Sequence, residues 1–331
     1  MLQIYRILTF ILLVQFFFIN STFTSIADES FETWLSSYKK FALKKGVSQE
    51  TIDVAFKNVR FLDLVIRYDR KQPEFYEDTI TYVKKRANVS RAEKAKKLLK
   101  KNKILFLEVE NKFDVEKEIL LALWGIETNF GKHVGKMDII SSLATLSYDK
   151  RRREFFSSQL LTLLKLIDDR LVNPDTLYGS WAGAYGNFQF MPSTIERYAI
   201  DYDKNNKIEL KNSLNDSLAS AANYIKSIGW KKDQPCFYRV KLTKEIKNKY
   251  KNSSARTISN RLSIKKWKKK GVINYDGTNL KTNLKAALII PDGKPNTPAY
   301  LVFENYERIL KWNRSLRFGI SVCTLAEMIK T

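Results

Sequence analysis

The sequence predicts a mainly helical (α+β) protein carrying one small β-rich module, and three observations lead to that expectation. Apolar residues recur at three- and four-residue spacing in the first third of the chain, as in Phe31, Trp34, Leu35 and Tyr38, and again in Ile52, Ala55, Phe56 and Val59. That is the period of a helix face. The middle third alternates such runs with glycine-bearing loops. From Pro235 to about Phe303 the pattern changes to short β-branched and aromatic runs bounded by turn signals.

Apolar residues make up 44% and charged residues 28% of the 331 positions, a globular and not a disordered composition. The N-terminus departs from it. Residues 7–19 form an apolar run broken only by Thr9 and Gln15, preceded by Arg6 and followed by the small residues of Ser25-Ile26-Ala27. The run is shorter than the roughly 20 residues of a membrane span and has the layout of an export signal cleaved after Ala27. No cysteine stands near that point, which disfavours a lipid anchor.

Residues 28–112 are expected to form a helical N-terminal domain. Its stretch 84–103 holds ten basic residues against Glu93 and reads as a solvated face. Residues 113–234 form the expected core. Asp114 is a plausible N-cap for the helix through Leu120, Leu121 and Leu123, with Gly131 and Gly135 as stop signals. Further helices are expected from Arg152, after Pro192, and from Asp216 to Ile228. In the β-rich module, 235–304, strands are expected at Phe237–Val240, Ala286–Ile290 and Tyr300–Phe303, with a turn at Pro291-Asp292-Gly293. The segment 305–331 ends in a helix that packs back on the core.

The formal charge of +23 favours anionic partners: nucleic acid, anionic lipid or an acidic polymer. Export and the lack of interleaved aromatics in the basic runs argue against nucleic acid. A single histidine, His133, and two distant cysteines exclude a catalytic triad or a zinc ligand set. Cys236 and Cys323 could form a disulfide after export or remain two semi-buried thiols.

Chemistry concentrates in three places. In Leu121-Ala122-Leu123-Trp124-Gly125-Ile126-Glu127-Thr128-Asn129-Phe130-Gly131 one carboxylate sits at an otherwise apolar helix end. Desolvation would raise its pKa and keep it protonated, the condition for a general acid in glycosidic cleavage. The segment from Gly179 to Thr194 combines glycines, aromatics and the polar Ser180 and Gln189. Such a loop offers close backbone approach, flat apolar faces, and donors and acceptors for a sugar bearing N-acetyl groups. In Asp201-Tyr202-Asp203-Lys204-Asn205-Asn206-Lys207-Ile208, oxygens at positions 1, 3 and 5 and a backbone carbonyl at 7 follow the first half of an EF-hand loop. Asn206 replaces the usual glycine, and Asn212 stands where a closing Glu would. The segment is either a structural calcium or sodium loop or a polar turn.

The segments GIETNFG, SLATLSYDKRRREFF, GSWAGAYGNFQFMPST and ASAANYI-SIGW, followed by AALIIPDG and PAYLVFENYERILKWNRS, resemble the lytic murein transglycosylase B family over nearly the whole mature chain. The resemblance implies a lysozyme-like helical core and a periplasmic enzyme that cuts the bond between N-acetylmuramic acid and N-acetylglucosamine in peptidoglycan, leaving 1,6-anhydro ends without water. It implies Glu127 as the single catalytic acid and base. Ser180 and Gln189 would face the sugar, and Tyr224, Trp312 and Asn313 would line the cleft. Arg151 and Arg152 would approach the acidic stem peptide or lactyl carboxylate. It also suggests that Asp216 closes the cation loop of Asp201, Asp203, Asn205 and Lys207. Trp312 and Phe318 stand where the family usually has Tyr. No cofactor is required for the chemistry; a monomer is expected, with proteins of wall synthesis or division as conceivable partners. A muramidase hydrolysing the same bond and a non-catalytic wall-binding protein are the alternative readings.

Overall fold

The computed structural model describes residues 29–71, 76–250, 253–278, 280, 282–294 and 296–331; the expected export signal at 1–27 lies outside them. Its helices are α1 (Phe31–Lys44), α2 (Gln49–Ala55), α3 (Asp63–Arg70), α4 (Thr79–Arg86), α5 (Val89–Lys101), α6 (Lys103–Phe113), α7 (Lys117–Thr128), α8 (Ile139–Tyr148), α9 (Arg153–Asp168), α10 (Pro192–Tyr198), α11 (Leu214–Ser227), α12 (Lys244–Tyr250), α13 (Ile264–Lys269), α14 (Glu304–Trp312) and α15 (Leu316–Lys330). Their starts follow ordinary capping chemistry. Ser30, Ser48, Asp78 and Asn88 each accept a hydrogen bond from a backbone N–H of the first turn, satisfying donors the helix itself cannot. Among the described residues, no helix is long and apolar enough to cross a membrane.

Two helical cores form. In the first, α1 to α3 bury Phe31, Trp34, Tyr38 and Ile52 against Leu143 of α8 and Leu160, Leu163 and Leu164 of α9. Tyr38 Oη donates to the Ser157 carbonyl at 2.7 Å. In the second, residues of α5, α6 and α7 meet those of α11, α14 and α15, and α15 lies against α7, α4 and α5. The N-terminal helical stretch is therefore divided between two cores. Asp114 does not cap α7: it ends α6 in the left-handed region, φ 59°. The turn before α7 is held instead by Glu116, whose carboxylate accepts from the Trp230 indole at 2.6 Å and the Asp233 N–H at 2.8 Å.

The strands are β1 (Met137–Asp138), β2 (Tyr178–Gly179), β3 (Phe237–Lys241), β4 (Leu262–Ser263), β5 (Ile273–Asn274), β6 (Lys285–Ile289) and β7 (Ala299–Val302). β1 and β2 make a short antiparallel ribbon, and the others a five-stranded antiparallel sheet in the order β4-β6-β7-β3-β5. Trp267 is wholly buried beneath this sheet and donates its indole N–H to the Ala286 carbonyl at 2.8 Å. Cys236 and Cys323 form a disulfide, joining the residue before β3 to α15.

Candidate active site

Glu127 occupies the last turn of α7, where three consecutive left-handed residues, Asn129 (φ 52°), Phe130 (61°) and Gly131 (78°), turn the chain away. Gly125 one turn earlier is where the Phe130 ring folds back: a Cβ there would lie 2.8 Å from its tip. The helix end is then bolted to the glycine-rich loop. The Trp124 indole donates to Asn187 Oδ1 at 3.0 Å, and Thr128 Oγ1 donates to the Asn187 carbonyl at 2.8 Å. Asn187 is buried, so these bonds form out of competition with water and left unmade would leave a costly orphan group.

The loop between β2 and α10 curls tightly because Gly179 allows it; a Cβ there would come within 2.1 Å of the Ala184 carbonyl oxygen. Ser180 Oγ accepts from the N–H groups of Ala182 (3.3 Å) and Ala184 (2.9 Å). With both lone pairs engaged, the hydroxyl can meet a ligand only as a donor. Gln189 is the reverse. It sits in the left-handed region, φ 52°, and its amide nitrogen donates to the carbonyls of Val134 (3.1 Å) and Gly186 (2.9 Å). Both amide hydrogens are spent, and the carbonyl oxygen is left as an acceptor.

Glu127, Ser180 and Gln189 line one cleft of about 860 Å³ together with Tyr68, Lys71, Trp181, Met191, Trp312, Asn313, Arg314 and Arg317. Among the described residues of its wall, Glu127 is the single carboxylate, against three cationic side chains. The next two acids along the chain are otherwise employed. Asp138 caps α8 through Ser141 N–H at 2.6 Å, and Asp149 pairs with Arg70 at 2.8 Å.

Three of the residues expected at the substrate lie outside this lining. Tyr224 is not in the cleft wall. It stacks on Tyr198 at 4.6 Å and on Trp312 at 4.9 Å, its hydroxyl donates to the Lys311 carbonyl, and burial pushes its pKa up to about 12. Arg151 and Arg152 do not reach the cleft; both guanidinium groups hold the buried Asp69 of α3. The two arginines stay partly exposed but turn their guanidinium groups to Asp69, because a buried carboxylate needs charge-assisted partners. Phe318 is buried in the second core, at 3% exposure, where a hydroxyl would have no use in the cleft. Trp312 does line the cleft, yet its indole N–H is directed at Glu127 Oε1, 2.9 Å away.

Sequence reasoning missed Trp124, Thr128 and Asn187 behind the carboxylate, and Tyr68, Lys71, Arg314 and Arg317 in the wall. Asn187 carried a signal: an amide between two aromatics in a glycine-rich loop needs buried partners. Lys71 and Arg314 carried none, because their place depends on how α3 and the α14–α15 turn approach from opposite ends of the chain.

The loop after α10 brings Asp201, Asp203 and Asp216 together, with carboxylate oxygens of all three within 4.8 Å of one another. Asp216 is wholly buried and accepts from Tyr202 N–H at 2.8 Å and Glu209 N–H at 3.0 Å. Asp201 accepts from Asn205 and Asn206 N–H, and Asn205 Oδ1 from Lys207 N–H. A converging set of hard oxygen donors, buried at Asp216 and open to solvent at Asp203, fits calcium or sodium.

A family described as the Transglycosylase SLT domain matches residues 30–327. Over 121 residues, 36% of this chain and 33% of the relative, the sequence is 42% identical to the membrane-bound lytic murein transglycosylase B of Escherichia coli strain K12; the match spans about a third of that relative's length. SltB3 of Pseudomonas aeruginosa, solved in complex with NAG-NAM-pentapeptide and with NAG-anhNAM-pentapeptide, superposes with a TM-score of 0.83 at 34% identity, over 91% of this chain and 80% of the other. The Escherichia coli lytic transglycosylase Slt35 in complex with calcium superposes with a TM-score of 0.76 at 25% identity, over 89% and 92% of the two chains.

Proposed function

The chain belongs to the transglycosylase SLT family, in its lytic murein transglycosylase B group, and from that premise we infer that it cleaves peptidoglycan strands between N-acetylmuramic acid and N-acetylglucosamine, leaving 1,6-anhydro ends. The observation that carries this reading is a cleft in which Glu127 is the single carboxylate among the described residues. A hydrolase of the ordinary kind needs a second carboxylate to act as nucleophile or to activate water.

The reaction balances with one group. Glu127 gives its proton to the glycosidic oxygen as the bond from that oxygen to the anomeric carbon breaks, the electron pair leaving with the oxygen. The muramic 6-hydroxyl then bonds to the anomeric carbon and returns its proton to the carboxylate. Ser180 as donor and Gln189 as acceptor match the C=O and N–H of an acetamido group, and the half-buried Trp181 offers an apolar face. Lys71 and Arg314 suit the lactyl carboxylate or the acidic stem peptide, whereas Arg317 is paired with Asp292 at 2.7 Å. The E. coli and P. aeruginosa relatives and the N-terminal apolar run support a periplasmic site of action. Asp201, Asp203, Asn205, the Lys207 carbonyl and Asp216 would hold a calcium ion, which would stiffen the turn between α10 and α11 and take no part in bond cleavage.

Glu127→Gln tests the reading. Digestion of purified sacculi should lose anhydro-muropeptide release by about 10³-fold, with the melting temperature changed by less than about 2 °C. Reducing-end products without anhydro groups from the wild type would instead make it a muramidase.

A further inference from the structure

The aromatic neighbour of Glu127 does more than wall the cleft. Tyr198, Tyr224 and Trp312 form a continuous stack, with centroid separations of 4.6 and 4.9 Å and interplanar angles of 23° and 28°. Phe188 and Phe190 meet the Trp312 ring edge-on at 6.3 and 5.4 Å. One indole face is thus covered by Tyr224 and two phenyl rings fix its tilt. The restraint points the indole N–H at Glu127 Oε1, at 2.9 Å.

We propose that Trp312 is a positioning residue that dictates which oxygen of Glu127 carries the catalytic proton. An indole nitrogen can only donate. A carbonyl oxygen accepts more strongly than a protonated one, so the indole bond favours Oε1 as the carbonyl oxygen and the acid proton on Oε2. The same oxygen then gives the proton to the leaving sugar and takes it back from the muramic 6-hydroxyl, with no rotation of the carboxyl group between the two steps. A tyrosine hydroxyl at this position could donate or accept and would leave the choice open. The indole bond also strengthens as Glu127 becomes an anion, since charge-assisted hydrogen bonds are roughly twice as strong as neutral ones. It therefore stabilises the carboxylate at the moment the glycosidic bond breaks.

The inference rests on the transglycosylase reading, and its test keeps the two separable. Among the described residues, the other charged or titratable groups sharing the cleft are Tyr68 and Lys71 on the α3 side and Arg314 and Arg317 on the α14–α15 side; none is altered by changing Trp312. Wild type and Trp312→Phe are compared by release of anhydro-muropeptides across pH. Phenylalanine keeps a ring in the stack and removes the donor. The variant should lose about tenfold in kcat with KM within about twofold, and the alkaline limb of kcat/KM should move up by about one pH unit, as expected when a carboxylate loses one hydrogen-bond donor. Replacing Trp312 by 3-benzothienylalanine, which keeps the two-ring shape with sulfur in place of N–H, should reproduce both changes. It decides the matter if the phenylalanine variant fails to fold. A profile superimposable on the wild type, or a raised KM with kcat intact, would overturn the proposal and leave Trp312 as a sugar platform. Absence of anhydro products from the wild type would instead sink the functional reading itself.

Discussion

Two loops flank α10, and they solve the same problem in opposite ways. The loop before it, from Gly179 to Met191, carries its polar side chains already matched by groups of the chain: Ser180 to two backbone N–H groups, Gln189 to two carbonyls, and Asn187 to Trp124. The loop after it gathers three carboxylates within 4.8 Å, an arrangement that repels itself until a cation enters. The first loop must stay ordered to present fixed donors and acceptors to a substrate. The second holds Asp201 and Asp216 with backbone N–H groups alone, and the proposed calcium ion would add a further partner to them. They are not independent, because Asn187 donates from its amide to the carbonyls of Leu210 and Lys211, and its backbone N–H reaches Leu210 at 2.8 Å. Gly186 lets them approach so closely; at φ 78° a Cβ on it would lie 2.4 Å from the Leu210 oxygen.

The sharpest way to break the comparison is at that seam. Asn187→Ala would strand the buried Trp124 N–H and the Lys211 carbonyl, and should lower stability by about 3 kcal/mol while reducing anhydro-muropeptide release, since the end of α7 loses one of its two anchors. Denaturant unfolding reads the first effect. A loss below about 1 kcal/mol would mean that the two loops are fixed separately.

The second loop should respond to metal where the first does not. Calcium at a hundred times its dissociation constant should stabilise the wild type by about 2.7 kcal/mol, seen as a higher melting temperature, and Asp201→Ala should cancel the gain. Magnesium should do less, because the irregular loop does not meet its octahedral demand. A melting temperature indifferent to calcium would make the segment a polar turn.

Ser180→Ala gives the smallest effect and separates self-matching from substrate contact. Losing one acceptor for two half-exposed N–H groups should lower stability by about 1 kcal/mol, whereas kcat/KM should fall about tenfold, one hydrogen bond's worth. Equal activity in the variant would show that the hydroxyl serves only its own loop.

Local pattern made much of this molecule legible. The helical period announced α1, α7 and α9, and the alternation after Pro235 announced β3, β6 and β7. Where long-range partners decide, it failed. In α13 the buried pair Ile264 and Trp267, three residues apart among lysines, is too short an apolar signal to announce a helix. The family resemblance places Arg151 and Arg152 at the ligand, and nothing in the local sequence shows otherwise. Their partner, Asp69, lies about 80 residues earlier. Tyr224 likewise read as cleft-facing, although the stack on Tyr198 and Trp312 turns it inward.

By itself the sequence determined that one carboxylate would end an apolar helix, that a glycine-rich loop with Ser180 and Gln189 would follow, and that acids would crowd the turn after α10. These are consequences of residue type and short spacing. Only the tertiary structure decided the direction in which each polar group acts. Ser180 became a donor and Gln189 an acceptor because other bonds consume their remaining capacity, and Glu127 received the indole N–H of Trp312 from 185 residues away. Hydrogen-bonding capacity belongs to the side chain, but what remains of it for a substrate depends on neighbours that only the folded chain assembles.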